Sequence, residues 1–142
     1  MMLLFNHDKA VADWVGSKVG KPFSEPFTAI GVLDGQGTLI GGAVFNGYIQ
    51  DTAVEISIAG KGVVSRAFWK ACRHYVFEQL NCIRLSIHTS NKKGNKRVRK
   101  MANDFGFVFE GVERCKYGPH HDAARYAITA SDMPKLKEKW RL

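Results

Sequence analysis

Residues 54–111 limit the possible folds more than any other part of the chain. Val54, Ile56 and Ile58 alternate with Glu55 and Ser57, the two-residue period of a strand with one buried face. Gly60-Lys61-Gly62 breaks that strand. Over residues 63–80, Val64, Ala67, Phe68, Ala71, Cys72, Tyr75, Val76 and Leu80 recur at helical spacing. Residues 82–89 return to alternation, with Ile83, Leu85 and Ile87 set against Arg84, Ser86 and His88. A second helix starts between Asn91 and Asn95, buries Val98, Met101, Ala102 and Phe105, and stops at Gly106. A strand that feeds a glycine turn and a helix N-terminus presents unpaired backbone N–H groups and the positive end of the helix dipole. That arrangement suits a phosphate.

The flanking segments fit around this unit. Residues 8–19 predict a helix capped by Asp8 and ended by Gly20 and Pro22. Residues 27–33 and 38–45 predict two strands joined by a turn at 34–37. Gly41-Gly42 signals a bulge or a close backbone approach, and Asn46-Gly47 a further turn. Residues 107–115 and 123–130 predict two more strands with a loop at 116–122. Ser131 or Asp132 caps a short helix ending at Trp140. The expected class is α/β: one domain, a mixed sheet, and helices on its faces. Within it, residues 1–53 supply a helix and hairpin, 54–130 the core, and 131–142 a terminal helix.

The formal charge is +8, which favours polyanionic partners. Lys92, Lys93, Lys96, Arg97, Arg99 and Lys100 form one acid-free basic run, and Lys135, Lys137, Lys139 and Arg141 form a second group. No run approaches about 18 apolar residues, so no membrane span is expected. The N-terminus lacks signal-peptide features, and Cys72, Cys82 and Cys115 have no metal-type spacing. A cytoplasmic protein with reduced thiols is the expectation.

Gly60-Lys61-Gly62 after a strand, Arg66 in the first helical turn, and residues 75–85 (YVFEQLNCIRL) carry a family resemblance. So do the Asn-led helix and the segment 105–111 (FGFVFEG). Together they resemble the GNAT superfamily of acetyl-CoA-dependent N-acyltransferases. The resemblance is to the Rim-type branch that modifies ribosomal-protein N-termini, and within it to small acetyltransferase-like proteins of tailed bacteriophages. It covers residues 54–130.

The resemblance implies acetyl-CoA as co-substrate and the host cytoplasm for a phage-encoded chain. It puts the pyrophosphate on Lys61, Gly62, Val63, Val64, Ser65 and Arg66. The pantetheine arm runs along the strand from Glu55 to Ala59, with Ile58 among its contacts. An Asn at the start of the following helix contacts that arm; counting from Gly106 gives Asn95, and counting from the strand gives Asn91. The chain departs from the family's turn at Ala59 and Val64, and Gly62 alone is kept.

Acetyl transfer needs a group that takes the amine proton. Glu55 is the first candidate, as the carboxylate on the central strand, with Ser57 on the same face able to orient a water. His88 is a second candidate, as base or relay. Tyr117, His120 and His121 lie on the loop that shapes the acceptor site in the family. Adjacent His residues lack metal-ligand spacing, and no metal is expected. Arg84 reads as structural, and Ala102 stands at the position of a helix Tyr general acid, which many Rim-type enzymes also lack. The expected activity is direct acetyl transfer from acetyl-CoA to a primary amine: a protein N-terminus, a lysine or a small amine. A monomer or homodimer is expected. The alternatives are a catalytically degenerate binding or regulatory protein of the same fold, and a basic nucleic-acid-binding protein using residues 92–100.

Overall fold

The computed structural model describes residues 1–140. Arg141, in the second basic group, lies outside the described residues.

Strands β1 (Met2–Leu4), β2 (Thr28–Leu33), β3 (Leu39–Ile49), β4 (Ala53–Gly60), β5 (Arg84–Ser90), β6 (Val108–Glu113) and β7 (Ala123–Thr129) form one sheet in the order β1-β2-β3-β4-β5-β7-β6. Only β4 and β5 pair in parallel. Helix α1 (Asp8–Val19) lies on one face, with Val11 and Val15 fully buried against Val44 and Ala29. Helices α2 (Arg66–Arg73) and α3 (Lys96–Asp104) cover the other. There Phe68, Trp69, Cys72, Ala102 and Phe105 pack on Val54, Ile56, Leu85 and Ile87. The alternation in β4 and β5 therefore separates an apolar face under α2 and α3 from a polar face on the α1 side.

The first helix occupies the span its periodicity predicts, but Asp8 does not cap it. Asp8 is the first helical residue, and its Oδ1 accepts a hydrogen bond from the Ala29 N–H at 2.9 Å, tying α1 to β2. Asn46-Gly47 makes no turn. β3 runs through it to Ile49, and one extra residue is absorbed as a register shift opposite β4. The helix expected over 63–80 starts later, at Arg66, where the Ser65 hydroxyl accepts the Phe68 N–H at 3.2 Å. It then widens into a π-helical turn over His74–Gln79. The terminal helix α4 (Met133–Trp140) is entered through a 3-10 turn. That turn is capped by Thr129 with Asp132 as its reciprocal partner, in place of Ser131.

Gly41-Gly42 is a site of close backbone approach. A Cβ on Gly41 would stand 2.1 Å from the Lys61 carbonyl oxygen. The Lys61 N–H also donates to Ile40 O at 2.8 Å, so β3 holds the Gly60-Lys61-Gly62 turn directly. Gly41→Ala forces backbone from backbone and is expected to cost about 1–3 kcal/mol. The check is a lowered denaturant midpoint at unchanged slope. Gly35→Ala, where nothing lies within 4 Å, serves as the neutral control.

Candidate active site

β4 and β5 pair only from Ala53 opposite Arg84 to Ile56 opposite Ile87. Beyond that, β3 stays alongside β4 to Gly60, and β7 stays alongside β5 to Ser90. The sheet therefore opens between its two parallel strands, and Ser57, Ile58 and Ala59 have a strand partner on one side only. An extended ligand arm can lie in such a gap and use the unpaired backbone.

The glycine turn stands at the far end of β4. Gly60 and Gly62 take φ of +88° and +80°, a conformation side chains avoid. Among the described residues, the N–H groups of Gly62, Val63, Val64 and Arg66 make no backbone hydrogen bond. Those of Lys61 and Ser65 are committed, to Ile40 O and Gly62 O. Val63 is buried, whereas Val64 is 59% exposed, so its side chain does not fill the turn from inside. Lys61 and Arg66 add positive charge. Free donors, a helix N-terminus and two cations fit a pyrophosphate. Arg66 also borders an apolar cavity with Trp69, Arg73 and Leu136.

Asn91 and Asn95 sit past the end of β5. The Asn91 N–H donates to Asp122 O at 2.9 Å. The Asn95 amide donates to Thr89 Oγ1 and to Ser90 O, so its Nδ2 ties the start of α3 to β5. Arg99 donates to Ser90 O and Lys92 O, and Lys100 pairs with Asp104. Two of the six cations in the basic run are thus tied into the local structure. Lys92, Lys93, Lys96 and Arg97 are exposed.

On the α1 face of the gap, polar side chains converge. Glu55 and Ser86 are register partners, His88 lies opposite Arg125, and Glu113 lies opposite Ala123. α1 packs on β2, β3 and β4. His88 Nε2 stands 3.5 Å from Glu55 Oε1, and its Nδ1 stands 2.7 Å from Glu113 Oε1. The second approach is off the hydrogen-bond direction. Arg125 Nε and Lys116 Nζ reach Glu113 at 3.4 and 3.6 Å. Burial raises the Glu113 carboxyl, but the charges of His88, Lys116 and Arg125 outweigh it and hold the group below the ordinary carboxylate range.

The structure thus brings Glu55 and His88 together. Ser57 lies two residues further along the same face, opposite Val44. Glu113 escapes the sequence reading, because only the β5-β7-β6 order places it beside His88. Arg84 has the structural role expected of it: both terminal nitrogens bond the Glu110 carboxylate, at 2.9 and 2.6 Å, and hold that group's pKa down. Burial, then the Glu113 and Glu55 charges, push the Tyr117 phenol up. His121 bonds Ser90 Oγ at 2.7 Å and its ring lies tilted beside Tyr117, with centroids 5.1 Å apart; His120 makes neither contact. No cluster of metal-ligating side chains occurs among the described residues, and no described helix is long and apolar enough to cross a membrane.

No protein-family model matches the chain, and no curated protein matches it. Solved structures do. A GCN5-related N-acetyltransferase from Brucella melitensis is similar at a TM-score of 0.69 and 25% identity, over 83% of this chain and 57% of that one. The spermidine/spermine N-acetyltransferase SpeG from Vibrio cholerae is similar at a TM-score of 0.70 and 17% identity, over 94% and 98% of the two chains. The chain therefore spans little more than half of the Brucella protein and almost all of the Vibrio one. The resemblance read from residues 54–130 and the topology agree: this chain has the fold of the GNAT acetyltransferases.

Proposed function

We propose that the chain transfers an acetyl group from acetyl-CoA directly to a primary amine. The observation that carries this reading is the gap between β4 and β5. It has a donor-rich glycine turn at one end and the Glu55–His88 pair on its polar face. The pyrophosphate of acetyl-CoA rests on residues 61–66, and its arm lies along Ser57 and Ile58. Asn91 and Asn95 flank the far side. Glu55 and His88 receive the amine and its proton. The acceptor is a protein N-terminus, as in the Rim-type branch that the motif resembles, or a lysine or small amine. The phage-like assignment, the cytoplasmic location and a monomeric or homodimeric state belong to the same proposal.

Calorimetric titration of acetyl-CoA, with CoA and ADP as controls, tests the cofactor half. Micromolar binding is expected, with Arg66→Ala weakening it about 10- to 100-fold, the worth of a charged hydrogen bond. Absence of binding at millimolar acetyl-CoA would overturn the reading. A binding or regulatory protein of the same fold would then be the better account. One observation favours that second reading: two of the turn's N–H groups, on Lys61 and Ser65, are already committed inside the protein.

A further inference from the structure

We propose that Glu113 is a positioning residue that fixes the proton of His88 on Nδ1 and so leaves Nε2 as the proton acceptor toward the gap. The inference rests on the acetyl-transfer reading for its chemical purpose, but its geometry stands alone.

His88 Nδ1 and Glu113 Oε1 are 2.7 Å apart, both atoms are buried, and neither has an aligned hydrogen-bond partner. Two bare lone pairs do not approach to that distance away from water, so one of the two atoms carries a proton. It resides on the ring nitrogen, because Arg125 and Lys116 stabilise Glu113 as the anion. In a neutral imidazole a proton on one nitrogen leaves the other bare. Nε2 is therefore the lone-pair nitrogen, and it looks across 3.5 Å at Glu55 Oε1, which is also an acceptor.

These two acceptors are close enough to share one donor group. A primary ammonium supplies three N–H donors and one positive charge. One N–H goes to Glu55, whose side chain is half exposed, and one to His88 Nε2, which is mostly buried. The ammonium proton passes to Nε2, freeing the nitrogen lone pair. That pair forms the C–N bond to the thioester carbonyl carbon, and the C–S bond breaks with its electrons on sulfur. The nitrogen loses its second proton as the thiolate gains one, and the imidazolium returns its proton to solvent. While charged, the ring sits between two carboxylates. His88 is thus the proton acceptor, Glu55 the ammonium receptor, and Glu113 acts through His88.

The test is ring-15N spectroscopy of the full chain labelled at its five histidines, at the alkaline plateau where the rings are neutral. His88 is assigned by its loss in His88→Gln. The expected result is an Nδ1-protonated ring in the wild type and in Glu113→Gln, whose amide oxygen still accepts. In Glu113→Ala that signature is lost and the Nε2-protonated form appears, with the amide spectrum otherwise that of the folded protein. A wild-type ring protonated on Nε2, or a Glu113→Ala ring still protonated on Nδ1, overturns the proposal. The wild-type spectrum alone decides it even where Glu113→Ala does not fold. Acetyl-CoA titration of the same samples separates the two readings: loss of cofactor binding in the wild type sinks acetyl transfer and leaves the tautomer result standing.

Discussion

Replacing His88 by Gln is expected to lower kcat for amine acetylation by about 10²–10⁴, the usual contribution of a general base. Gln keeps much of the shape and polarity of the ring but cannot take a proton. The acetyl-CoA affinity is expected to stay at its wild-type value, because residues 61–66 stand on a separate turn at the end of β4. Glu55→Gln should behave differently. It raises KM for the amine more than it lowers kcat, since it removes an ammonium contact and leaves the base in place. The measurement is CoA release at varied amine and saturating acetyl-CoA. A His88→Gln protein within about threefold of wild type would return the proton-accepting role to Glu55 or to water.

Phe68→Ala is the substitution with the largest expected effect on stability, a loss of about 3–5 kcal/mol. Phe68 is fully buried on α2, in the cluster that joins this helix to β4, β5 and α3. Its ring meets Trp69 edge-on with centroids 5.7 Å apart, and Trp69 in turn meets Phe105 and Phe107. Removing it opens a cavity that rigid neighbours on three elements cannot fill. A chain of this size holds a total of only about 5–15 kcal/mol, so the denaturant midpoint should fall by a large fraction. Because α2 carries the predicted phosphate turn at its N-terminus, acetyl-CoA affinity should fall as well. A loss under about 1 kcal/mol would show that α2 is not anchored through Phe68.

Local periodicity carried most of the architecture. Gly20 ended α1 where a stop was expected, and alternation in residues 54–58 and 83–88 marked both strands of the parallel pair and their polar faces. Gly106, at φ of +89°, ended the helix where a left-handed residue was expected. Misreadings occurred where a long-range partner outcompeted a local rule. Asp8 was expected as a cap, but the Ala29 amide claims its carboxylate. Asn46-Gly47 has turn chemistry, but pairing with β4 extends the strand through it. The short strand β1 carries too little pattern to detect, and pairing with β2 alone defines it.

The candidate site divides along the same line. The glycine turn, Glu55 and His88 could be picked out because each is marked locally, by a strand break or by a polar residue on an alternating strand. Neighbouring residues thus mark the class of fold, the glycine turn, and Glu55 and His88 in the polar cluster that Glu113 joins. Tertiary structure alone decided where the sheet opens, which donors of the turn remain free, and that Glu113 meets His88. The physical reason is that periodicity and turn chemistry are set by neighbours along the chain. Register between β4 and β5, and the placing of β7 between β5 and β6, are set by burial summed over the whole sheet.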